Sequence, residues 1–514
     1  MASDVSSYLE DAGHFPGGHS PSVQFPRSSG EISSALAAAA TAGYTVLPVG
    51  AQSSLTGGAT PLGETVLSTS KLTSIHDHSR DSISVGAGVT VAALQDHLAS
   101  RGAWFPPAPT YTGAFCGGIV ATNAAGAATF KYGSTREWVE GLTVVLADGR
   151  ILPIQRGAHR ARHGQLDVPG VGAIPVPGYV MPAVRKMSAG YFAAPDMDLV
   201  DLFIGSEGTL GVIAEVTFRV LSPVPQMALA LIPCVSDQQM LDVVRAIREA
   251  SIETWAQRSS SGLDACAIEN MDARCIEVIR QDGATARHEV QIPTGTVALI
   301  LVTLELPPDI TAAAAYDQIA ASLEPGAPDT SLVRFCRLLQ VHGVLEGTEL
   351  ALRHDQRRFE QLIAVREAVP AGVNQRVGVA KSTIDARIAK TAADMVVPFE
   401  RFAEMNRIYR RGFESRGLDY AIWGHISDGN VHPNVIPGSY EDVRRGMEAI
   451  LEFGHEATRL GGCPLAEHGV GRSPIKQALL RQLYGEDGIE QMRAVKRVLD
   501  PGWTLAPGVI FQRG

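Results

Sequence analysis

His425 and His432 flank an Asp-Gly pair in the stretch Ala421-Ile422-Trp423-Gly424-His425-Ile426-Ser427-Asp428-Gly429-Asn430-Val431-His432-Pro433-Asn434. Asp-Gly between apolar runs signals a two-residue hairpin turn, which would pair 427 with 430, 426 with 431 and 425 with 432. Directly opposed residues place their Cβ atoms roughly 4.5–5.5 Å apart, close enough for two imidazoles to share a metal ion. Asn434, two residues beyond His432, would point to the same side. Farther on, Pro464-Leu465-Ala466-Glu467-His468-Gly469-Val470-Gly471 offers an acid and a histidine in a glycine-flanked turn. Two histidines plus one carboxylate leave coordination positions open for a substrate, which suits a catalytic rather than a structural ion. Two incidental histidines on an ordinary hairpin are the competing reading of the first segment taken alone.

A second kind of chemistry is suggested by small-residue loops. Gly50-Ala51-Gln52-Ser53-Ser54-Leu55-Thr56-Gly57-Gly58 follows the strand-like run Tyr44 to Val49. Glycine-rich turns of this sort aim successive N–H groups at a phosphate. A second such loop runs from Pro109 through Thr110, Gly113 and Ala114 to Cys116-Gly117-Gly118, and Thr122-Asn123-Ala124-Ala125-Gly126 follows. The run Gly86-Ala87-Gly88-Val89-Thr90-Val91 lacks the third glycine of a dinucleotide fingerprint, and no Gly-Lys-Ser/Thr phosphate loop occurs.

Three motifs in register, Pro48-x-Gly50-x-x-Ser53-x-Leu55-x-Gly57-Gly58, then Gly117-Gly118 with Asn123-Ala124-Ala125-Gly126, then Gly205-Ser206-Glu207-Gly208-Thr209-Leu210-Gly211, resemble the vanillyl-alcohol oxidase/p-cresol methylhydroxylase flavoproteins. The resemblance implies an α+β architecture: a two-part FAD-binding domain of the p-cresol methylhydroxylase type, with an α/β cap domain built on an antiparallel sheet. It places the FAD pyrophosphate on the first loop, at Pro48, Gly50, Gln52, Ser53, Ser54, Leu55, Thr56 and Gly57. Further contacts are implied from Pro109, Thr110, Gly113, Ala114, Gly117, Gly118 and Thr122, with a backbone contact near Ile213. Some relatives attach the flavin through histidine or cysteine; the first loop has neither and the second only Cys116, so non-covalent FAD is expected.

The C-terminal half resembles the D-lactate, glycolate and D-2-hydroxyglutarate dehydrogenases, which carry a His…Gly-Asp-Gly-Asn-x-His segment and a Glu-His-Gly segment. Carried over by position, His425, His432 and Glu467 would hold a divalent ion, zinc or manganese, with Asn434 touching substrate and His468 acting as general base. Arg366 matches the carboxylate-binding arginine, and Lys390 the family lysine, with Lys381 its rival. Ser427 replaces a usual glycine and Ala506 a usual asparagine, which leaves the substrate less defined than the flavin. The implied reaction is hydride transfer from a small D-2-hydroxy acid to flavin N5, giving the 2-oxo acid. Oxygen, a quinone, a cytochrome or another flavoprotein would take the electrons. An oxidase of a different alcohol on the same fold and a flavin-bearing electron-transfer subunit are the alternatives, the latter needing no intact base or carboxylate clamp.

These residues need elements to hold them. Ser28-Ser29-Gly30-Glu31 has capping-box spacing ahead of a helix at about 30 to 42. A second helix is expected from Thr90 to Gly102, a hairpin at Asp148-Gly149, and a half-buried strand over Gly211 to Val220. Beyond Pro223, strand, helix, strand and helix patterns near 227–233, 236–250, 296–306 and 311–323 imply a second α/β unit. The expected division is 1–222 for FAD, 223–455 for substrate and cap, and 456–514 returning to the FAD domain through a final helix, Glu490 to Leu499.

At 514 residues, two or three domains are natural. A net charge of −10 without long runs of one sign gives nucleic acid no footing. Six scattered cysteines without a Cys-x-x-Cys pair read as reduced thiols of a cytoplasmic protein. The acidic N-terminus is unlike a signal or transit peptide, and no apolar run spans a bilayer. Peripheral attachment at the inner face of a membrane and a homodimer are both compatible with this reading.

Overall fold

The computed structural model describes residues 5–107, 109 and 111–514, which fall into two compact units. The first comprises Met1–Gly126, Gly133–Ser222 and Ala457–Gly514; the second comprises Ala127–Tyr132 and Pro223–Glu456.

In the first unit the Ser28 side chain accepts the Glu31 N–H and starts the helix Ser29–Ala42, which ends at Gly43 in the left-handed region. The strand Val46–Val49 pairs in parallel with Thr65–Ser68, which also pairs in parallel with Val23–Gln24. An antiparallel sheet of five strands lies in the order Ile75–Asp77, Ser82–Gly86, Val212–Arg219, Val139–Val145, Ile151–Gln155. Val145 pairs with Ile151 across the Asp148-Gly149 turn, where Gly149 takes φ +88°.

The C-terminal return is held by a buried cation. Lys496, on the helix Pro474–Leu499 that kinks at Gly485, bonds through Nζ to Asp500 at 2.8 Å and to the carbonyls of Thr209 and Leu505 at 2.6 and 2.9 Å. The chain then runs beside the strand that carries the first loop, with Val46 N–H donating to Thr504 and Ala506 N–H to Val46. A fully buried ammonium with three oxygens is satisfied as burial requires.

The second unit is an antiparallel sheet in the order Glu349–Leu352, Gln226–Cys234, Ala298–Leu306, Ala265–Asp272, Tyr420–His425, Asn430–Val435, Thr391–Ala392, with Met395–Val396 also pairing Asn430–Val435. Leu229, Leu231, Met271, Leu301 and Trp423 pack against Val365, Val369 and Val373 of the helix Gln356–Thr383, forming its core. The excursion Ala127–Tyr132 belongs here through charge: Lys131 Nζ lies 2.7 Å from Asp264 and 2.6 Å from Glu305, and Tyr132 Oη donates to Glu305. The expected α+β fold, with a cap on an antiparallel sheet, is the one observed. Among the described residues no helix is long and apolar enough to cross a membrane.

Candidate active site

A cavity of about 340 Å3 opens in the first unit where the strand Val46–Val49 gives way to the glycine-rich loop. Pro48, Gly50, Gln52, Ser53, Ser54, Leu55 and Thr56 line it. So do Pro109, Ala114, Gly117, Gly118, Thr122 and Ile213. Gly57 and Gly113, expected among the FAD contacts, are not in its wall. The Gly57 N–H is taken by Asp11 Oδ2 at 2.7 Å, and a Cβ there would stand 2.6 Å from the Phe15 ring. A Cβ on Gly113 would stand 2.5 Å from Tyr111 Oη, so that glycine serves packing within its own loop. Thr110 lies outside the described residues.

The wall fits a phosphate-bearing cofactor. Among the described residues, none accepts a hydrogen bond from the N–H groups of Ala51 to Leu55, and Gln52 sits at φ +57°, a turn that gathers successive amides into an anion-binding nest. No atom lies within 4 Å of where a Cβ on Gly118 would stand, so the backbone there is open to close approach. Gly117 does a different job: a Cβ would stand 2.6 Å from Ala87 Cβ, and its absence lets the helix Cys116–Ala121 pack close. Cys116 is fully buried, is not among the lining residues, and burial pushes its thiol up to about 12.

Glu467 and His468 line the same cavity. Glu467 Oε2 lies 3.1 Å from the ammonium of Lys186, which is fully buried and also reaches the Gly126 carbonyl at 3.1 Å. His468 Nε2 lies 3.5 Å from Glu467 Oε1. The turn is clamped by Glu207, whose two carboxylate oxygens accept the N–H groups of Val470 and Gly471 at 2.7 and 2.8 Å. Glu207 takes φ +51°, and burial pushes its carboxyl up to about 7 against the pull of those two amides. Arg472 N–H then donates to Thr56, tying this turn to the cofactor loop.

In the second unit the hairpin departs from the expected register. Ile426–Asp428 form a 3-10 turn with Gly429 at φ +75°, so His425 pairs with Asn430 and Trp423 with His432. The correction is two positions, and the period of a strand is two, so both histidines remain on one face as diagonal neighbours. Their ring centroids are 5.7 Å apart. A Cβ on Gly429 would stand 2.0 Å from the Val397 carbonyl, which explains the Asp-Gly pair by close approach rather than by a tight two-residue turn. Ser427 is fully buried in that turn.

Two carboxylates with no sequence signature of a site residue flank this pair. His425 Nδ1 lies 3.2 Å from Glu269 Oε1, and His432 Nδ1 lies 3.6 Å from Asp394 Oδ1. Asp394 in turn accepts from Asn430 Nδ2 at 3.2 Å. A row of carboxylate, imidazole, imidazole and carboxylate thus crosses neighbouring strands. Both contacts to the imidazoles are at ion-pair distance rather than in hydrogen-bond geometry, and a carboxylate beside Nδ1 is the usual outer neighbour of a histidine that binds metal through Nε2. Arg366 Nε and Nη2 reach the same Glu269 oxygen at 2.8 and 2.5 Å. Burial raises the Glu269 carboxyl, but Arg366 and His425 overcome it and hold the group down at about 2.

Asn434 is buried, donates Nδ2 to the His432 carbonyl at 2.8 Å, and has a buried Oδ1 that meets no donor among the described residues. Lys390 is exposed just before Thr391–Ala392, the strand that pairs with Val435 and Asn434; Lys381 is exposed in the last turn of Gln356–Thr383. Arg366, Lys390, His425, His432 and Asn434 belong to the second unit, and Glu467 and His468 to the first.

Residues 21–155 match the FAD binding domain family, and residues 240–510, more than half the chain, match the family FAD linked oxidases, C-terminal domain. A D-lactate dehydrogenase of Archaeoglobus fulgidus is 29% identical over 95% of this chain and 90% of its own length. A D-2-hydroxyglutarate dehydrogenase of Xanthomonas citri pv. viticola is 27% identical over 95% of this chain and 89% of its own. The glycolate oxidase subunit GlcD of Bacillus subtilis is 26% identical over 95% and 88%. An alkyldihydroxyacetonephosphate synthase structure, 13% identical, shares the fold at a TM-score of 0.54 over 94% of this chain and 76% of that one. With both halves of the pattern matched, this chain belongs to the FAD-linked oxidase family and is an FAD-linked oxidoreductase.

Proposed function

We propose that the chain oxidises a small D-2-hydroxy acid, of the lactate, glycolate or 2-hydroxyglutarate type, to the 2-oxo acid with non-covalent FAD and a divalent ion, zinc or manganese. The observation that carries this reading is the row Glu269, His425, His432, Asp394 with Arg366 beside it. It supplies two imidazoles, each beside a carboxylate, and a guanidinium on one sheet face, the donors needed for a metal and a carboxylate. The names of the relatives support the substrate class. The buried thiol of Cys116, outside the cavity wall, supports non-covalent flavin.

When bound, FAD would supply a hydride acceptor and the ion, held by His425, His432 and Glu467, a Lewis acid. The protein's share is orientation and proton movement. Arg366 binds the substrate carboxylate, with Lys390 or Lys381 as a second cation. Asn434, two residues beyond His432 on the same strand, contacts the substrate. His468, 30% exposed at its side chain and beside the cofactor loop, takes the hydroxyl proton as the Cα hydride departs. Electrons then leave to oxygen, a quinone, a cytochrome or a second flavoprotein, in a cytoplasmic enzyme.

His468→Ala is expected to keep FAD and slow flavin reduction by about 100-fold or more. Reduction at the wild-type rate would remove His468 from the reaction. Activity should fall with a chelator and return with zinc or manganese; full activity in metal-free protein would refute the ion's part. Second place goes to an oxidase of an alcohol without a carboxylate, because Glu269 already answers the charge of Arg366.

A further inference from the structure

One oxygen in the second unit is shared by two residues with separate tasks. Glu269 stands on Ala265–Asp272, a strand inside the sheet, with its side chain 13% exposed. Its Oε1 meets Nε and Nη2 of Arg366, which comes from the helix Gln356–Thr383, and Nδ1 of His425, the last residue of Tyr420–His425. Using the Nε/Nη2 edge fixes the plane of the guanidinium, since the group is rigid and planar. A carboxylate oxygen 3.2 Å from Nδ1 is at ion-pair distance rather than in hydrogen-bond geometry, and its charge favours the N–H at Nδ1, which leaves Nε2 as the donor to metal.

We propose that Glu269 is a positioning residue that aligns the carboxylate-binding arginine, Arg366, and the metal-ligating histidine, His425, from a single oxygen; this rests on the function proposed above. The consequence is coupling. A change at Glu269 disturbs metal affinity and substrate affinity together, although Glu269 itself is neither ligand nor clamp. An ion pair kept only for stability would behave otherwise. The second unit contains one for comparison: Arg376, on the same helix, is held by Asp282 at 2.8 and 2.9 Å.

The test compares wild type, Glu269→Gln and Asp282→Asn. Zinc affinity is read by competition with a chromophoric chelator on metal-stripped protein, and KM and kcat are measured on the zinc-loaded enzyme. Glu269→Gln keeps the shape and removes the charge; it is expected to weaken zinc binding by about 10- to 100-fold and to raise KM. Asp282→Asn is expected to lower the melting temperature while leaving zinc affinity and KM within twofold. If Glu269→Gln does not fold, Glu269→Asp, which withdraws the carboxylate by one methylene, is scored by the same criteria. Zinc affinity and KM unchanged in the Glu269 variant, with zinc bound by wild type, overturns the positioning role and leaves the proposed function standing. Absence of both zinc and manganese binding by wild type overturns the ion's part in the proposed function and the positioning role with it.

Discussion

Lys186 offers the sharpest perturbation. Its side chain is fully buried, and its ammonium lies 3.1 Å from Glu467 Oε2 and 3.1 Å from the Gly126 carbonyl, next to cavity-lining Ala125. Lys186→Met preserves most of the volume and leaves Glu467, 8% exposed, without that cation. Breaking a buried pair from one side costs about 3–5 kcal/mol, a large share of the roughly 5–15 kcal/mol that holds a domain. Removing both charges, in Lys186→Met with Glu467→Gln, should cost less than the sum of the single changes by about 2 kcal/mol or more. Urea unfolding of metal-stripped protein measures all four corners of the cycle, and stripping the metal keeps ligand loss out of the Glu467→Gln corner. Lys186→Met should also loosen FAD, because the Gly126 carbonyl loses its donor at the edge of the cavity. Single changes that add to within about 0.5 kcal/mol would show that Lys186 is not the counter-ion of Glu467.

Glu207 gives the first unit a pH dependence. Its carboxyl is raised from its ordinary 4.5 to about 7, so the folded chain keeps a proton that the unfolded chain has already lost between those values. Stability therefore declines as pH rises through that window, by up to about 3 kcal/mol, and Glu207→Gln should flatten the dependence of the urea midpoint between pH 5 and 8. An unaltered slope in the variant would mean that Glu207 does not set it. In the second unit, Gly429→Ala combines a left-handed residue with a Cβ 2.0 Å from the Val397 carbonyl, whereas Gly417→Ala at φ +62° meets nothing within 4 Å. The first should cost more than the roughly 1–2 kcal/mol of left-handed strain expected at the second, and should weaken zinc binding as the hairpin shifts. Equal melting temperatures for the two variants would contradict the close-approach explanation of the Asp-Gly turn.

The sequence was most informative where a task is done by contiguous residues. The loop Gly50 to Thr56 lines the cavity because its chemistry is backbone N–H groups in a row, and a row is visible in one dimension. Helix starts were visible for the same reason, as at Ser28 with Glu31. The hairpin was legible in its faces but not in its pairing: an Asp-Gly pair also fits a 3-10 turn, and only the packing of Gly429 against Val397 distinguishes the two. Gly57 and Gly113 fit the motif pattern yet answer to Phe15 and Tyr111, contacts with no signature in spacing. Glu269, Asp394 and Lys186 are not legible as site residues because strand pairing or a buried ion pair, rather than proximity in the chain, brings them to His425, His432 and Glu467. Lys186 directly follows Arg185, and nothing in the sequence tells which of the two adjacent cations is the buried one.

The most direct measurement is anaerobic mixing of the FAD-loaded protein with D- and L-lactate, glycolate and D- and L-2-hydroxyglutarate, following the oxidised flavin absorbance. The account predicts rapid bleaching by glycolate or by at least one D-acid, with no bleaching by the L-partners. A flavin that dithionite reduces but that stays oxidised with every one of these acids would contradict it.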